Sequence, residues 1–302
     1  MSNWDYDWLD DLTQKPRQRK INYTEADLER DLAEIIGLEN VKNTIRDIYY
    51  TVRANRERQA SGLETSGQLL HMMFYGNPGT GKTTVARLVG RMFREMGVLS
   101  RGHFVEVEAS DLIAGYVGQT GPKTQAKIRE ALGGVLFIDE AYALVPEDDT
   151  RNSFGPEAIA VLIKAMEDHR DNLCVILAGY EDEMKRLLKV NPGLRSRIPF
   201  VLHFPDYTPP ELLRIFVAEA TKRQYRIERD GGEYLLELFT TYQANMRELG
   251  NGRFARNVLE RAILAQSRRL GALGRRPAPD ELTLLTVDDL RAWEEAEAGR
   301  SW

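Results

Sequence analysis

The chain has 302 residues and a net charge of −5, with one cysteine and no apolar stretch near the roughly 20 residues that cross a bilayer. Its length favours more than one domain, and its acidic balance excludes a general electrostatic attraction to nucleic acid or anionic membranes. The lone Cys174 cannot form an internal disulfide, and the acidic start lacks the pattern of a secretory signal, so we expect a cytoplasmic protein without a membrane segment.

Residues 1–30 are dense in charge and carry no apolar stripe long enough for a buried helix, which predicts a flexible tail. Aromatic and apolar side chains nevertheless stand among the acids of this tail. Such a pattern is typical of a segment that docks into a groove on a partner or a neighbouring subunit, and a plain solubilising tail is the alternative. The residues concerned are Trp4, Tyr6, Trp8, Leu9 and Leu12, with Asp5, Asp7, Asp10 and Asp11.

A helical segment is predicted over Leu32–Arg58, interrupted at Ile36-Gly37-Leu38. After the interruption, apolar residues recur at helical spacing. The stretch 61–68, which contains two glycines, is predicted to be the loop that leads into the first strand.

The apolar run that ends at Tyr75 is followed at once by a sequence that matches the phosphate-binding pattern G-x-x-x-x-G-K-[ST]. Glycines allow a tight turn whose N–H groups point into one concavity, and the helix that follows offers its positive N-terminus to the same phosphates. Lys82 is predicted to reach the β- and γ-phosphates and Thr83 to contact Mg²⁺. The pattern therefore predicts binding of a nucleoside triphosphate, ATP, by Gly76, Asn77, Pro78, Gly79, Thr80, Gly81, Lys82, Thr83 and Thr84.

Further strands are predicted at Phe104–Val107, Val135–Ile138, Leu173–Leu177 and Phe200–Phe204, with helices between them such as Gly155–Asp168. Runs that are apolar on both faces are typical of a buried parallel sheet, so we predict an α/β fold. At Thr208-Pro209-Pro210-Glu211 a capping box begins a new helix, and only helical patterning follows.

Two consecutive acids, Asp139 and Glu140, follow the strand Val135–Ile138. Beside a phosphate loop, the first is predicted to hold Mg²⁺ through its water shell and the second to polarise the water that attacks the γ-phosphate. Two acids that merely end a strand are the alternative. With both motifs present, Mg²⁺-dependent ATP hydrolysis is favoured over binding alone.

Together these segments resemble the CbxX/CfxQ family of AAA+ ATPases, which has sporulation-type and Rubisco-activating members. The resemblance implies an AAA+ nucleotide-binding α/β domain over 31–206 and a smaller, all-helical lid domain over 207–302. It also implies a homo-oligomer, a hexamer, that acts on a protein client. The segments that carry it are 36–42, the phosphate loop, 115–118, 136–142, 191–197 and 250–253.

The resemblance also implies roles for residues outside the two motifs. Ile36 and Gly37 are expected to cover the adenine. Arg197 matches the arginine finger that reaches into the nucleotide site of a neighbouring subunit, with Arg195 as the weaker candidate. Arg253, and less surely Arg256, match the position from which the lid senses the γ-phosphate, and a surface ion pair is the alternative for each arginine.

Two further assignments depend on the resemblance. Tyr116, Val117 and Gly118 match the triplet that lines the central pore of AAA+ rings and grips a polypeptide, and an ordinary turn is the alternative. Tyr180 stands where many AAA+ proteins have an asparagine that positions the attacking water, and its hydroxyl could hydrogen-bond in a similar way.

Three functions are weighed. A mechanical ATPase that remodels a protein partner is favoured over a nucleic-acid motor. The only direct support for the motor is a group of basic residues, Arg268, Arg269, Arg275 and Arg276. A regulatory switch gated by the bound nucleotide is the third. The four histidines lack ligand spacing, so Mg²⁺ with the nucleotide is the only metal expected. The client, any sugar-phosphate effector and the exact number of subunits are not determined by the sequence.

Overall fold

The computed structural model describes residues 23–65, 69–116, 118–145 and 155–298. Within these ranges a five-stranded parallel sheet has the strand order β2-β3-β4-β1-β5. The α/β fold class is thereby confirmed. The strands are β1 (Met72–Gly76), β2 (Phe104–Glu108), β3 (Val135–Asp139), β4 (Cys174–Gly179) and β5 (Phe200–Phe204).

The central strands of this sheet are buried on both faces. Every residue of β4 and all but the last of β3 are buried, as expected of parallel strands covered by helices on either side. The predicted positions of these strands are confirmed to within one or two residues at each end. At one end of β4, the thiol of Cys174 is fully buried and donates to the Leu70 carbonyl over 3.2 Å. Burial raises the pKa of this thiol, so it packs as a small apolar side chain.

Helices connect the strands. The predicted interruption at 36–38 and the predicted helix over 155–168 are both confirmed. The helices of the first part of the chain are α1 (Glu25–Ala33), α2 (Glu39–Ala60), α3 (Lys82–Glu95), α4 (Ala109–Leu112), α5 (Thr120–Ala131), α6 (Gly155–Asp168), α7 (Glu181–Val190) and α8 (Pro192–Arg195), with a 3-10 turn at Ala141–Leu144.

The remainder of the described chain is mostly helical. Its helices are α9 (Pro209–Lys222), α10 (Gly231–Thr241), α11 (Met246–Leu249), α12 (Gly252–Gly271), α13 (Pro279–Thr283) and α14 (Val287–Ala298), with a 3-10 turn at Gln243–Asn245. The expectation of purely helical structure after Thr208 is wrong in one detail. Two strands of two residues each, β6 (Arg226–Ile227) and β7 (Leu284–Leu285), pair in parallel. The sequence did not reveal them because two residues are too few to show a strand pattern.

The predicted tail needs a correction at its C-terminal end. Residues 1–22, with their acidic and aromatic pattern, lie outside the described residues, but 25–33 form α1, which is capped by Thr24 and Asp27. Leu28 and Leu32 are buried. Two leucines over nine residues are too short a periodic pattern to distinguish a buried helix from a charged tail.

The described chain divides into two units. The first comprises residues up to 34, 40–75 and 83–202, and the second comprises 35–39, 76–82 and 203–302. The sheet and its helices form the core of the first, and an aromatic cluster fills the core of the second. That cluster includes Phe239, Tyr242, Phe254 and Trp293, with ring centroids between 4.8 and 6.0 Å apart. The domain boundaries remain a prediction. Among the described helices, none combines the length and apolarity needed to cross a membrane.

Candidate functional site

The phosphate loop, residues 76–82, belongs to the second unit and has a backbone that only glycine can adopt at key positions. Gly79 and Gly81 have φ of +71° and +95°. A β-carbon on Gly79 would lie 2.0 Å from the Gly250 carbonyl oxygen, and one on Gly81 would lie 2.9 Å from the Tyr207 hydroxyl. The loop is therefore a tight concave turn of the kind that cradles phosphates.

Lys82 is the first residue of α3, and its ammonium group points back over the loop. Its Nζ donates to the carbonyl oxygens of Gly76 and Asn77 over 2.7 and 2.9 Å. Thr83 and Thr84 follow in the first turn of the helix, where backbone N–H groups have no partner within the helix. Thr83 is partly buried and Thr84 exposed. This arrangement suits a ligand that brings negative oxygens to the ammonium and to the start of the helix.

Three residues that the sequence analysis did not single out hold the loop in place. Asp206 accepts hydrogen bonds from Asn77 over 2.9 and 3.0 Å and from Asn251 over 2.8 Å. The hydroxyl of Tyr207 donates to the Thr80 carbonyl over 3.1 Å, and burial raises the pKa of this tyrosine to about 12. Asn251 is fully buried at a left-handed φ of 51°, and the segment 250–253, which carries part of the resemblance, was the sequence signal for it.

The turn at Ile36-Gly37-Leu38 lies against the same loop within the second unit. A β-carbon on Gly37 would lie 2.1 Å from the Glu211 carboxylate, and a β-carbon on Gly81 would lie 3.6 Å from Leu38 Cδ1. The resemblance predicted this turn to cover an adenine. The structure places it beside the phosphate loop, together with the capping box that begins α9.

Arg253 also lies at the phosphate loop. Its backbone nitrogen donates to the Gly250 carbonyl over 2.8 Å and would be 3.2 Å from a β-carbon on Gly79. Its side chain is exposed and, among the described residues, has no hydrogen-bond or ion-pair partner. Arg256, one turn along α12, is exposed as well. An unpaired guanidinium at this position suits a terminal phosphate.

In the first unit, acidic and tyrosyl side chains follow strands that lie next to each other. Ile138 pairs with Leu177, and Leu177 pairs with Met73, so β3, β4 and β1 end at the same edge of the sheet. Asp139 is the last residue of β3, and Tyr180 follows β4. The carboxyl edge of a parallel sheet is the usual position for ligand contacts.

Glu140 has a strained backbone and an exposed side chain. Its φ of 49° lies in the left-handed region, and its N–H donates to Asp139 Oδ1 over 3.0 Å. Left-handed conformations of non-glycine residues are costly and are concentrated at functional sites.

Tyr180 packs on Tyr142, which lies in the 3-10 turn that begins after Glu140. The two ring centroids lie 5.9 Å apart, and a β-carbon on Gly179 would come within 2.7 Å of the Tyr142 ring. Burial, reinforced by the nearby Glu140 carboxylate, raises the pKa of Tyr142 to about 12. Tyr142 therefore stays a neutral hydroxyl, and sequence reasoning overlooked it.

The two candidate finger arginines have different environments. Arg197 Nε lies 3.2 Å from Glu167 Oε2 without the angle of a hydrogen bond, and its Nη1 donates to the Gly193 carbonyl over 3.2 Å. Arg195, at the end of α8, is exposed and unpaired within the described part of the chain. No described contact joins either arginine to Asp139 or Glu140.

The predicted pore triplet lies in the connection between α4 and α5. Tyr116 is 74% exposed, and β-carbons on Gly115 and Gly118 would meet no atom within 4 Å. Val117 lies outside the described residues. An aromatic side chain in such open surroundings contributes nothing to the core of this unit.

The four arginines that could support nucleic-acid binding are partly engaged within the second unit. Arg269 pairs with the buried Asp289 over 2.7 Å, and Arg275 pairs with Glu281 over 2.7 Å. Arg268 and Arg276 are exposed. The cluster therefore supplies fewer available positive charges than its sequence suggests.

Comparisons with known proteins identify relatives of this chain. A family model described as "ATPase family associated with various cellular activities (AAA)" matches residues 72–206, and an AAA lid domain model matches 208–300. Stage V sporulation protein K of Bacillus subtilis is 42% identical over 89% of this chain and 84% of its own. The chloroplastic ribulose bisphosphate carboxylase/oxygenase activase of Cyanidioschyzon merolae is 40% identical over 91% of this chain and 92% of its own.

Two more similarities extend these findings. Protein CbbX of Cereibacter sphaeroides is 41% identical over 86% of this chain and 84% of its own. Among solved structures, the FIGL-1 AAA domain in complex with ADP superposes with a TM-score of 0.61 over 99% of this chain and 92% of that one. At 21% identity, this last likeness supports the fold alone.

Proposed function

The chain belongs to the AAA family of ATPases, in the group of its CbxX/CfxQ and sporulation relatives, and from that premise we propose that it is an oligomeric machine that remodels a protein partner. Membership makes it an enzyme that hydrolyses ATP. We further propose a role for each site residue, a nucleotide site shared between subunits and a mechanical use of the energy of hydrolysis.

The binding roles are assigned from local geometry. Lys82, now bonded to loop carbonyls, is proposed to turn to the β- and γ-phosphates, which offer it stronger, charge-assisted hydrogen bonds. The turn at Ile36 and Gly37 is proposed to hold the adenine, and Arg253 the γ-phosphate. The support is that the turn and the arginine both contact the phosphate loop within one unit.

Glu140 is proposed as the base that orients and polarises the attacking water, with the hydroxyl of Tyr180 as a second hydrogen-bond partner. Thr83 and Asp139 would hold Mg²⁺, the latter through water, because a hydroxyl and a carboxylate are ligands that this hard cation prefers. The metal, when bound, supplies neutralisation of phosphate charge.

A neighbouring subunit is proposed to complete the site with Arg197. The ion pair with Glu167 and the bond to Gly193 hold this guanidinium in one orientation, which limits the entropy lost when it meets a phosphate. A homo-oligomer, a hexamer by resemblance, follows from this requirement. A cytoplasmic location stays part of the proposal.

The observation that carries the remodelling role is the exposure of Tyr116 between two open glycines. An aromatic ring can hold a passing polypeptide through contact area without requiring a particular sequence, and glycines let the connection move. The name of the Cyanidioschyzon relative indicates an enzyme as its target, and we extend to this chain only the class, a folded protein client.

A nucleotide-gated switch is the competing function. The two differ in whether the ATPase rate depends on assembly and on an added polypeptide. The experiment measures ATPase rate against protein concentration, with particle size from light scattering, in the presence and absence of casein as an extended-polypeptide probe. Stimulation of an assembled form by casein, lost in Tyr116→Ala and kept in Tyr116→Phe, supports remodelling. A rate that is independent of concentration and of casein, from a monomer, favours the switch.

A further inference from the structure

A cavity of about 500 Å³ opens on the first unit, and its lining includes none of the residues assigned to the nucleotide. Its walls come from the start of α1, the second half of α2 and the residue after α3. The lining combines apolar and aromatic side chains with two arginines, Arg53 and Arg56, and two glutamates, Glu25 and Glu57. Tyr23, Tyr49 and Met96 are buried, so the floor of the cavity is largely apolar and aromatic.

Arg56 gives this apolar cavity a positive charge with no internal partner. The side chain is partly buried, which lowers the pKa of its guanidinium, and within the described residues it makes no ion pair or hydrogen bond. Its Nη2 would lie 2.8 Å from a β-carbon on Gly97, so the group is held over the turn that ends α3. Arg53, by contrast, lies 3.2 Å from Glu57.

Two carboxylates of the lining are already engaged, because Glu25 accepts from the Tyr50 hydroxyl and Glu57 from Arg53. The charge left without a partner is that of Arg56, so the cavity fits a segment that carries aromatic rings and carboxylates side by side. Partly buried guanidinium groups are stabilised most by carboxylates, which they can bind in a bidentate manner. Residues 4–12 of this chain, which lie outside the described residues, alternate Trp and Tyr with Asp in that way. The complementarity is one of charge and of apolar character.

We propose that the segment 4–12 of the same chain docks in this cavity, with an aromatic ring against Tyr49 and Met96 and an aspartate on Arg56. Tyr23, the first described residue, lines the cavity, so the segment that precedes it is attached at the cavity's edge. The ten residues between Leu12 and Tyr23 span at most about 40 Å when extended, which is ample for a return to the rim. A short tether also gives the segment a local concentration that a free peptide lacks.

The proposal assigns a role to two features that ATP hydrolysis leaves unused, the acidic aromatic pattern and the unpaired Arg56. It does not depend on the proposed remodelling role. It commits to the segment's own chain, and docking into the cavity of another copy is one of the outcomes of the test.

The experiment uses the full chain labelled with 5-fluorotryptophan and read by ¹⁹F NMR. The sequence contains four tryptophans, Trp4, Trp8, Trp293 and Trp302, which single Trp→Phe variants assign. The signals of Trp4 and Trp8 are compared with those of a synthetic peptide of residues 1–22. We expect at least one of the two to be displaced from its peptide position in the intact protein and to return to it in Arg56→Met.

Arg58→Met is the matched control, because Arg58 is an exposed residue of the same helix that does not line the cavity. Replacing Asp5, Asp7, Asp10 and Asp11 by asparagine tests the same contact without touching the described residues, and should also abolish the displacement. Trp293, which is 5% exposed, reports that the second unit stays folded, and thermal melting reports on the whole chain.

Each outcome decides the proposal. A displacement that survives dilution below the assembly concentration, persists in Arg58→Met and is lost in the two charge variants supports it. Signals that coincide with the free peptide in the intact protein overturn it, as does a displacement that the charge variants leave unchanged. A displacement that disappears on dilution assigns the segment to a second copy and overturns the assignment to the same chain.

Discussion

Asn251 donates a hydrogen bond from its side-chain amide to the Asp206 carboxylate over 2.8 Å. The same carboxylate accepts from Asn77 of the phosphate loop, and Asn251 Oδ1 accepts from the Tyr207 backbone N–H over 2.9 Å. The phosphate loop, which the sequence pattern over 76–83 predicts, is therefore held in shape by residues more than 120 positions later in the chain. Its geometry depends on a buried polar network as well as on its glycines.

Asn251→Ala should weaken both the fold and nucleotide binding. The change removes one of the two donors to the Asp206 carboxylate, leaves the Tyr207 N–H without its partner and forces alanine into a left-handed backbone, at a combined cost of about 2–4 kcal/mol. We expect a lower free energy of unfolding in urea and a reduction of roughly tenfold or more in affinity for a fluorescent ADP analogue. Asn245→Ala, an exposed side chain that bonds Glu248, is the control. Wild-type affinity and stability in Asn251→Ala would contradict the role of this network.

Glu140→Gln should bind ATP and hydrolyse it slowly. Glutamine keeps the size of the side chain and removes its capacity to accept a proton, which is worth about 10²–10⁴-fold in rate. Nucleotide affinity and ATPase rate are measured on the same preparation, with Asp182→Asn as an exposed carboxylate control. Turnover at the wild-type rate would exclude Glu140 as the base.

Arg197→Ala should abolish most ATPase activity, whereas Arg195→Ala should retain it. Because Arg197 is also paired with Glu167, part of any loss could come from the fold. Glu167→Gln separates the two causes, since it breaks the same pair but leaves the guanidinium. We expect Glu167→Gln to be modestly less stable and still active.

Mixing provides a second test of Arg197. Equal parts of Arg197→Ala and Glu140→Gln protein should regain some ATPase activity if the arginine acts on a neighbouring subunit, because some mixed interfaces then pair an intact Arg197 with an intact Glu140. Absence of recovery, when exchange of subunits is demonstrated, would place the arginine in its own chain's site or outside the mechanism.

Because His71 is buried in its neutral form, the protein should be less stable in mild acid than at neutral pH. Its buried Nδ1 accepts from the Val175 N–H over 3.0 Å, so Nε2 carries the proton and donates to the Met166 carbonyl over 2.9 Å. Burial lowers the pKa of this imidazole, with Glu167 opposing and Arg197 reinforcing the shift. The unfolded chain, with an ordinary pKa near 6.5, therefore binds a proton first as the pH falls.

The contribution of neutral His71 to the free energy of unfolding is fully present above about pH 6.5. It decreases as the pH falls below that value, with a slope of at most about 1.4 kcal/mol per pH unit. His71→Gln keeps one donor and one acceptor without titrating, so urea unfolding of this variant should be less dependent on pH between about 5 and 7. His203→Gln, which changes an exposed histidine, should retain the wild-type dependence. An unchanged dependence in His71→Gln would rule out this origin.

Short-range patterns in the sequence were sufficient to determine the nucleotide chemistry and the fold class. The phosphate-binding pattern depends on residues within eight positions of each other, and runs such as Val135–Ile138 identify a buried parallel sheet because both of their faces are apolar. The break at Gly37, the helix over 155–168 and the capping box at Thr208 are likewise local, since each depends on backbone preferences of neighbouring residues.

Tertiary structure alone decided what surrounds those motifs. The bonds of Asp206 and Asn251 to the phosphate loop, the packing of Tyr142 on Tyr180, the pairing of Arg197 with Glu167 and the unpaired state of Arg56 all join residues distant in sequence or depend on which side chains are buried. A sequence reports which donors, acceptors and charges exist. Which of them become partners depends on the packing that excludes water from some and leaves others exposed, and that packing is a property of the folded chain.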